Sequence, residues 1–465
     1  MKYQVVILFL AYVVLILTLG YFRPQGKHSK YLIRKGVHLI TGLVIFYLTF
    51  HISRQTLLIV FIAGTVLSFI TYFIKRFNYI HVTGDSSWGT LFYPLGILSS
   101  FLLLYKMPLH YFQISLLFLV VADTVANLGG YLVCGNPQFS ILSEGKSAFG
   151  IIGFALTAFV ISLVLFPVSD KPTMPYLVLT VVCAIHFEII SHKGSDNLAI
   201  PLGTALFFLL THEQSFNVVW IIAVIFSMGL ISFLLYRIKI LTMNGTIAAY
   251  FLGIYLFGVL GVDWGIPVSF FFVSSVIFTR INGVVNRKLH VAGRRNLWQV
   301  LANILACLVF TIWFLISSQL IFIYLFISVV AAVTADTWAS EIGPVFQKKC
   351  FSLSGWRMAT AGVSGGISIA GTLAAFAGSF LVTLLAWIGF FPKMDFQMIL
   401  ILALAGFLAS FVDSFLGAFL EPQLDELNYL MKRTGSESIS PNDLINMLAS
   451  FTAPLFYLLL YHFLK

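Results

Sequence analysis

The chain is 465 residues long, 60% hydrophobic and only 9% charged, with a formal net charge of +10. That composition excludes a soluble globular enzyme, and it excludes a nucleic-acid binder, which would need its basic residues clustered on a soluble domain. Four cysteines (Cys134, Cys183, Cys307 and Cys350) without a CxxC or a Cys/His cluster exclude a disulfide framework and a zinc site.

Apolar runs long enough to cross a ~30 Å hydrocarbon core recur from end to end. Roughly sixteen are countable: 4–22, 36–51, 55–74, 88–105, 112–133, 148–167, 174–190, 197–211, 216–236, 244–260, 264–281, 298–316, 318–342, 360–390, 397–420 and 444–463. The expected fold is an all-α polytopic membrane protein. The first run has only Lys2 ahead of it and no small-residue cleavage site before Arg23, so it reads as a retained span. With the loop after it called inside, all but six of the 27 Lys and Arg fall on inside loops, the exceptions being Lys2, Arg54, Lys106, Lys171, Lys393 and Lys465. This bias makes the inside cytoplasmic. An even number of spans then leaves both termini outside, in a bacterial inner (plasma) membrane. The longest polar loops, 23–35, 279–297, 343–359 and 421–443, all lie inside, where a water-soluble partner would be met.

In chain order, the polar exceptions begin with LIRKGVHLITG (32–42), which sets Arg34, Lys35 and His38 at the mouth of a span. Cations there either snorkel to fix topology or bind phosphates. VADTVANLGG (121–130) buries Asp123 in an apolar run, with Asn127 and Gly130 on its face of a helix. A mid-span carboxylate costs on the order of 2.5–3.5 kcal/mol and implies a partner, a metal or a reaction. The loop EGKSAFG (144–150) supplies Lys146 and Ser147; HFEIISHKGSDNLAIPLG (186–203) supplies Glu188, Lys193, Asp196 and Asn197. An Asp-Asn pair can hold a metal or orient a hydroxyl, or simply cap a helix.

The second part repeats the theme. GRRNLWQVLANI (293–304) carries Arg294, Arg295, Gln299 and Asn303. TADTWASEIG (334–343) repeats the Ala-Asp-Thr-x-Ala-x-x-x-Gly cassette with Asp336 and adds Glu341; AGVSGG (361–366), with Ser364 and Gly365, is matched to EGKSAFG. SFVDSFLGAFLE adds Asp413 and Glu421. The repeat divides the chain into halves, 1–212 and 213–465. Carboxylates gathered near one membrane face beside basic loops suit a magnesium–phosphate site. Proton relays in transporters use similar acids, and the pattern alone does not choose. Neither half has a Walker-type loop.

The first half resembles the integral-membrane kinases of polyisoprenoid alcohols, the phytol kinase and dolichol kinase group. The resemblance rests on Arg34-Lys35-x-x-His38, the stretch 89–96, Ala122-Asp123-Thr124 with Gly130, Lys146-Ser147-x-x-Gly150, and Ser195-Asp196-Asn197-x-x-x-Pro201. Phe149 and Ile151 stand where that family commonly has Glu and Ser. The second half resembles the family that includes plant phytyl-phosphate kinase. The matching residues are Asn244-Gly245, Gly293-Arg294-Arg295 with Gln299 and Asn303, the run 335–343, Gly362 to Gly366, Asp413-Ser414-x-x-Gly417, and Asn442 with Asn446.

These resemblances imply two successive phosphorylations, of a prenyl alcohol and then of its monophosphate. The donor would be a nucleotide triphosphate, CTP rather than ATP, with Mg²⁺. Asp123, Asp196, Asp336, Glu341 and Asp413 would be catalytic, and Asp123, Asn197, Asp336 and Asn446 would hold metal. Arg34, Lys35, His38, Gly130, Lys146, Ser147, Arg294, Arg295, Ser364 and Gly365 would bind nucleotide or phosphate. A lipid transporter and a CDP-lipid synthase stand as the alternatives. The expected partners are prenyl lipids, the nucleotide and the bilayer.

Overall fold

A computed structural model describes residues 27–73, 89–132, 138–140, 145–166, 174–191, 194–213, 217–286, 293–390, 394–431 and 439–464. The expected first span, Lys193 and the side chain of Arg34 lie outside the described residues. The chain divides into two compact units, 1–221 and 222–465.

In the first unit the helices are α1 (Lys27–Leu48), α2 (Arg54–Phe73), α3 (Gly89–Leu103), α4 (Leu109–Leu117), α5 (Asp123–Leu132), α6 (Ala148–Leu165), α7 (Met174–Ile190), α8 (Asp196–Glu213) and the start of α9 (Val218–Arg237). A π-helical segment, Phe118–Ala122, joins α4 to α5. Strands β1 (Gln138–Ser140) and β2 (Gly145–Ser147) pair antiparallel ahead of α6. α8 is the central post: Ala199, Ile200, Ala205, Leu206, Phe207, Phe208 and Leu210 are all buried. It packs on α3, α7 and α4. Its approach to α3 is backbone-close, since a Cβ on Gly96 would stand 2.2 Å from the Asn197 carbonyl oxygen.

The second unit continues with α10 (Met243–Gly253), a π segment (Ile254–Leu260), α11 (Val262–Val285), α12 (Leu297–Ser317) and α13 (Ile321–Phe346). A small sheet follows, of β3 (Lys349–Ser352), β4 (Arg357–Thr360) and β5 (Gly366–Ile367) in the order β4-β3-β5. Then come α14 (Ile369–Phe390), α15 (Phe396–Met431), α16 (Pro441–Ser450) and α17 (Thr452–Leu464). α13 is the core: every residue from Leu325 to Ala335 is buried, and α14, α15, α11, α12 and α17 pack around it. Close approach there rests on small residues, as it must where no aqueous hydrophobic drive operates. A Cβ on Gly406 would stand 2.5 Å from the Ala331 methyl.

Buried hydroxyls within these helices bond back to carbonyls three or four residues earlier, as Thr65, Ser162, Thr204 and Thr334 do, which satisfies them without water. Large apolar side chains cover the outside, among them Ile59, Val164, Val219 and Phe226, each more than 60% exposed. Such a surface is stable against lipid and not against water. The chain is an integral, multi-pass membrane protein.

Eleven helices among the described residues are long and apolar enough to cross a membrane, with three shorter apolar ones, against an expected sixteen runs of which the first lies outside those residues. Every apolar run from 36 onward nonetheless falls on a helix. The run 360–390 is not one span, because strands and a glycine loop occupy it up to Ile367 and the helix begins at Ile369. The two small sheets also depart from a purely helical fold.

Candidate functional site

In the first unit Asp123 stands where the π segment returns to α-helix, and it is fully buried. π turns recur at functional sites because they re-aim the side chains that follow. Lys35 Nζ donates to Asp123 Oδ2 at 2.8 Å, and Asn127 Nδ2 donates to Oδ1 at 2.7 Å. His38 Nε2 lies 3.1 Å from the Leu119 carbonyl oxygen, which requires that nitrogen to carry the proton. Its ring tilts against Tyr93 at 4.3 Å.

Lys146, the middle residue of β2, donates to Glu188 Oε1 at 2.7 Å and to Ser191 Oγ at 3.2 Å. Burial alone would lower the pKa of Lys146. The charges of Glu188 and Asp196 outweigh it and hold the ammonium above its ordinary value. Glu188 Oε2 is buried and accepts no hydrogen bond among the described residues. One carboxylate oxygen from each of Asp123, Glu188 and Asp196 lies within 4.8 Å of the others. At an effective dielectric of 20, two carboxylates about 5 Å apart repel by roughly 3 kcal/mol. Lys35 and Lys146 offset two of the three charges. The remainder, with an unpartnered carboxylate oxygen, fits a hard divalent cation, which takes oxygen ligands and leaves positions for water or phosphate.

Two of the expected residues also hold helices in place. Asn197 spends its amide on the Gly89 carbonyl at 2.7 Å, tying α8 to α3. Ser147 caps α6, its Oγ accepting from Gly150 N at 2.9 Å.

The second unit holds a polar cavity of about 680 Å³, lined among others by Arg295, Asp336, Glu341, Ser364, Gly365, Asp413 and Asn446. Asp336 and Asp413 both line this cavity, and their carboxyls act on each other electrostatically, an arrangement that suits a shared proton or cation. The Asn446 amide, in the orientation its neighbours require, donates to Asp413 Oδ1 at 3.1 Å. Glu341 is anchored from α11: Thr279 Oγ1 donates to Oε1 at 2.6 Å and Asn282 Nδ2 to Oε2 at 2.9 Å. Arg295 donates to Ser275 Oγ at 2.9 Å. Burial pulls its guanidinium below its ordinary value, and the Glu341 charge works against that. Arg294 diverges: it is exposed, does not line the cavity, and its guanidinium sits 5.9 Å from the Tyr236 ring.

The loop Gly362–Gly366 is pressed onto α15. Gly365 adopts φ +69°, and a Cβ there would meet the Ala418 Cβ at 2.4 Å; one on Gly417 would meet Ser364 Oγ at 2.7 Å. Only glycine fits both demands at position 365.

The two cassettes make the same clasp with the helix that follows. In the first unit a Cβ on Gly130 would stand 2.7 Å from Ser147 Oγ, and one on Gly150 would stand 2.7 Å from the Ala126 carbonyl oxygen. In the second, Gly343 meets Ser368 Oγ at 3.1 Å and Gly371 meets the Ala339 carbonyl oxygen at 3.1 Å. Ser368 caps α14 through Gly371 N, as Ser147 caps α6. The residue in the place of Ser147 is therefore Ser368, not the Ser364 that loop similarity suggests. Sequence reasoning also left Glu188 without a role, although its place one α7 turn before a charged loop marked it as unusual.

Residues 226–453 match the family described as "Integral membrane protein DUF92". The chain is 31% identical over 156 residues to an uncharacterized membrane protein of Methanocaldococcus jannaschii, a match covering 32% of this chain and 62% of that one. It is 27% identical over 219 residues to an uncharacterized membrane protein of Synechocystis, covering 45% and 83%. It is 30% identical over 152 residues to the phytol kinase of Synechocystis, covering 32% and 64%. The chain thus spans less than two thirds of the archaeal protein and of the phytol kinase. No solved structure matches it.

Proposed function

We propose that this protein is a membrane isoprenoid kinase in which the first unit phosphorylates a prenyl alcohol and the second phosphorylates the resulting monophosphate. The observation that carries the reading is the trio Asp123, Glu188 and Asp196 bracketed by Lys35 and Lys146. The similarity to a phytol kinase points the same way. Phosphoryl transfer asks mainly for positioning and charge neutralisation, which such a set of groups supplies.

In this reading Asp123, Glu188 and Asp196 would hold a Mg²⁺ ion, whose charge would offset that of the phosphates of a nucleotide triphosphate, CTP in preference to ATP. Lys35 and Lys146 turn from their carboxylates to the phosphate oxygens. The alcohol oxygen bonds to the γ-phosphorus, the β–γ bridging P–O bond breaks, and the nucleoside diphosphate leaves. The hydroxyl proton goes to Asp196, whose carboxylate is in neither of the ion pairs that Lys35 and Lys146 make. In the second unit Asp336 and Asp413, with Asn446, take the cation role, Arg295 and the Gly362–Gly366 loop bind phosphate, and Glu341 fixes the cavity wall. Joining the two steps in one chain raises the effective concentration of the intermediate at its next site. The sites face the cytoplasm of a bacterial inner membrane, the nucleotide's compartment.

The test uses purified protein with Mg²⁺, γ-labelled CTP or ATP, and farnesol, geranylgeraniol, phytol or their monophosphates. Diphosphate should form from the alcohol, Asp123→Asn should block the first step, and Asp336→Asn should let monophosphate accumulate. Nucleotide consumed with none of these acceptors, or label that never leaves it, would sink the proposal.

A further inference from the structure

The sheet between α13 and α14 has an outer face that the site does not use. Along β3, Cys350 and Ser352 turn inward while Lys349 and Phe351 turn outward. Phe351 pairs across the strands with Met358, which is 62% exposed, and Trp356 at the turn is 74% exposed. The Phe351 and Trp356 rings meet edge-on at 6.0 Å. Trp356 holds φ +47°, a backbone conformation that glycine or asparagine takes more readily. The turn thus spends backbone strain to hold an indole outward. Lys349 and Arg357 flank this apolar cluster, both exposed, and no acidic residue occurs between 347 and 368.

The position of this hairpin limits what can cover it. α13 and α14 are apolar enough to span a bilayer, and they end at Phe346 and begin at Ile369, both more than 70% exposed. The hairpin therefore leaves the hydrocarbon within a few residues on either side. Its mixture of Trp, Phe, Met, Lys and Arg is that of a headgroup-level segment, where amphipathic rings and cations are stable together. A soluble acidic partner would satisfy the cations but not three large apolar side chains beside two span ends.

We propose that the outer face of the β3–β4 hairpin lies in the headgroup layer of an anionic leaflet, with Trp356 as its anchor. The inner face of the same sheet lines the cavity through Cys350 and Gly366. The hairpin is then the rim across which a membrane-dissolved amphiphile reaches that cavity. This inference does not depend on the reaction proposed above.

The experiment uses the full chain reconstituted in vesicles of phosphatidylcholine and phosphatidylglycerol, with Trp356→Phe as the reference. The emission lost in the variant reports on Trp356 alone; Trp356→Tyr serves if the first variant does not fold. Lipid brominated near the glycerol end of its chains should quench that difference emission by about half, and aqueous iodide should leave it unchanged. Lys349→Gln with Arg357→Gln should weaken the bromolipid quenching, as should vesicles of phosphatidylcholine alone. Quenching by iodide and not by bromolipid would put the hairpin in water and overturn the proposal. A signal that changes with the number of protein molecules per vesicle would mean that a second copy covers the face, and would overturn it too.

Discussion

Replacing Asp123 by Asn separates the two things this carboxylate does. Taking one partner from a buried ion pair costs roughly 3–5 kcal/mol. Asp123 is fully buried, but the Lys35 side chain is 16% exposed and keeps some reach to water, which lowers the expected loss to about 2–3 kcal/mol. The new amide also sets an N–H₂ against Lys35 or Asn127, both donors at 2.8 and 2.7 Å. In the double variant Lys35→Met/Asp123→Asn no unpaired charge remains, and stability should return to within about 1 kcal/mol of the parent. Thermal unfolding in detergent of the parent, both single variants and the double variant measures the coupling. Turnover of prenyl alcohol, followed in the same preparations, should stay at least about a hundredfold down in the single and double variants. If the double variant regains turnover, Asp123 is only a counter-ion for Lys35. If it melts no higher than Asp123→Asn, the pair is not coupled and the geometry has been misjudged.

Glu188→Gln leaves the shape of the trio intact but removes a charge, so half-maximal turnover should need ~10-fold more Mg²⁺; an unchanged Mg²⁺ dependence would take Glu188 out of the cation site. Arg295→Met should abolish consumption of the prenyl monophosphate while Arg294→Met leaves it near the parent rate, and equal effects would contradict the divergence of the two side chains. Gly365→Ala forces a Cβ onto α15 at positive φ and should destabilise the second unit by roughly 2–4 kcal/mol, read as a lowered melting temperature. Gly150→Ala meets a carbonyl oxygen at 2.7 Å where Gly371→Ala meets one at 3.1 Å, so the first should cost more by about 1 kcal/mol, and the reverse order would show that the two clasps are not alike.

Much of this architecture is legible in the chain because a bilayer leaves few options. Apolar length alone places the helices, and the unusual cost of a mid-span carboxylate singles out Asp123 and Asp336. The side-chain partners are less legible. Glu188 reads as a charge beside a loop until α7 is folded against α6 and α8, which brings it to Lys146. Arg294 and Arg295 look equivalent in sequence, yet the bridge of Leu241 with Arg295 fixes the strand-like turn that sends them opposite ways. The π segment before Asp123 has no signature in an otherwise uniform apolar run. The sheet after α13 hides within one too, since Met358, Val363 and Ile367 raise its hydropathy as a span would. Ser368 has no mark in the sequence because the clasp is a matter of distance between helices, which spacing along one helix does not encode.

The clasp also says which parts can move. With glycine against serine hydroxyl on one side and glycine against carbonyl on the other, α5 is locked to α6 and α13 to α14. Neither pair can slide without driving backbone into backbone. Each acidic cassette thus rides on a rigid two-helix frame. Any closure over a ligand must bring other parts of the wall to that frame, so the aspartate is the fixed jaw of each vise.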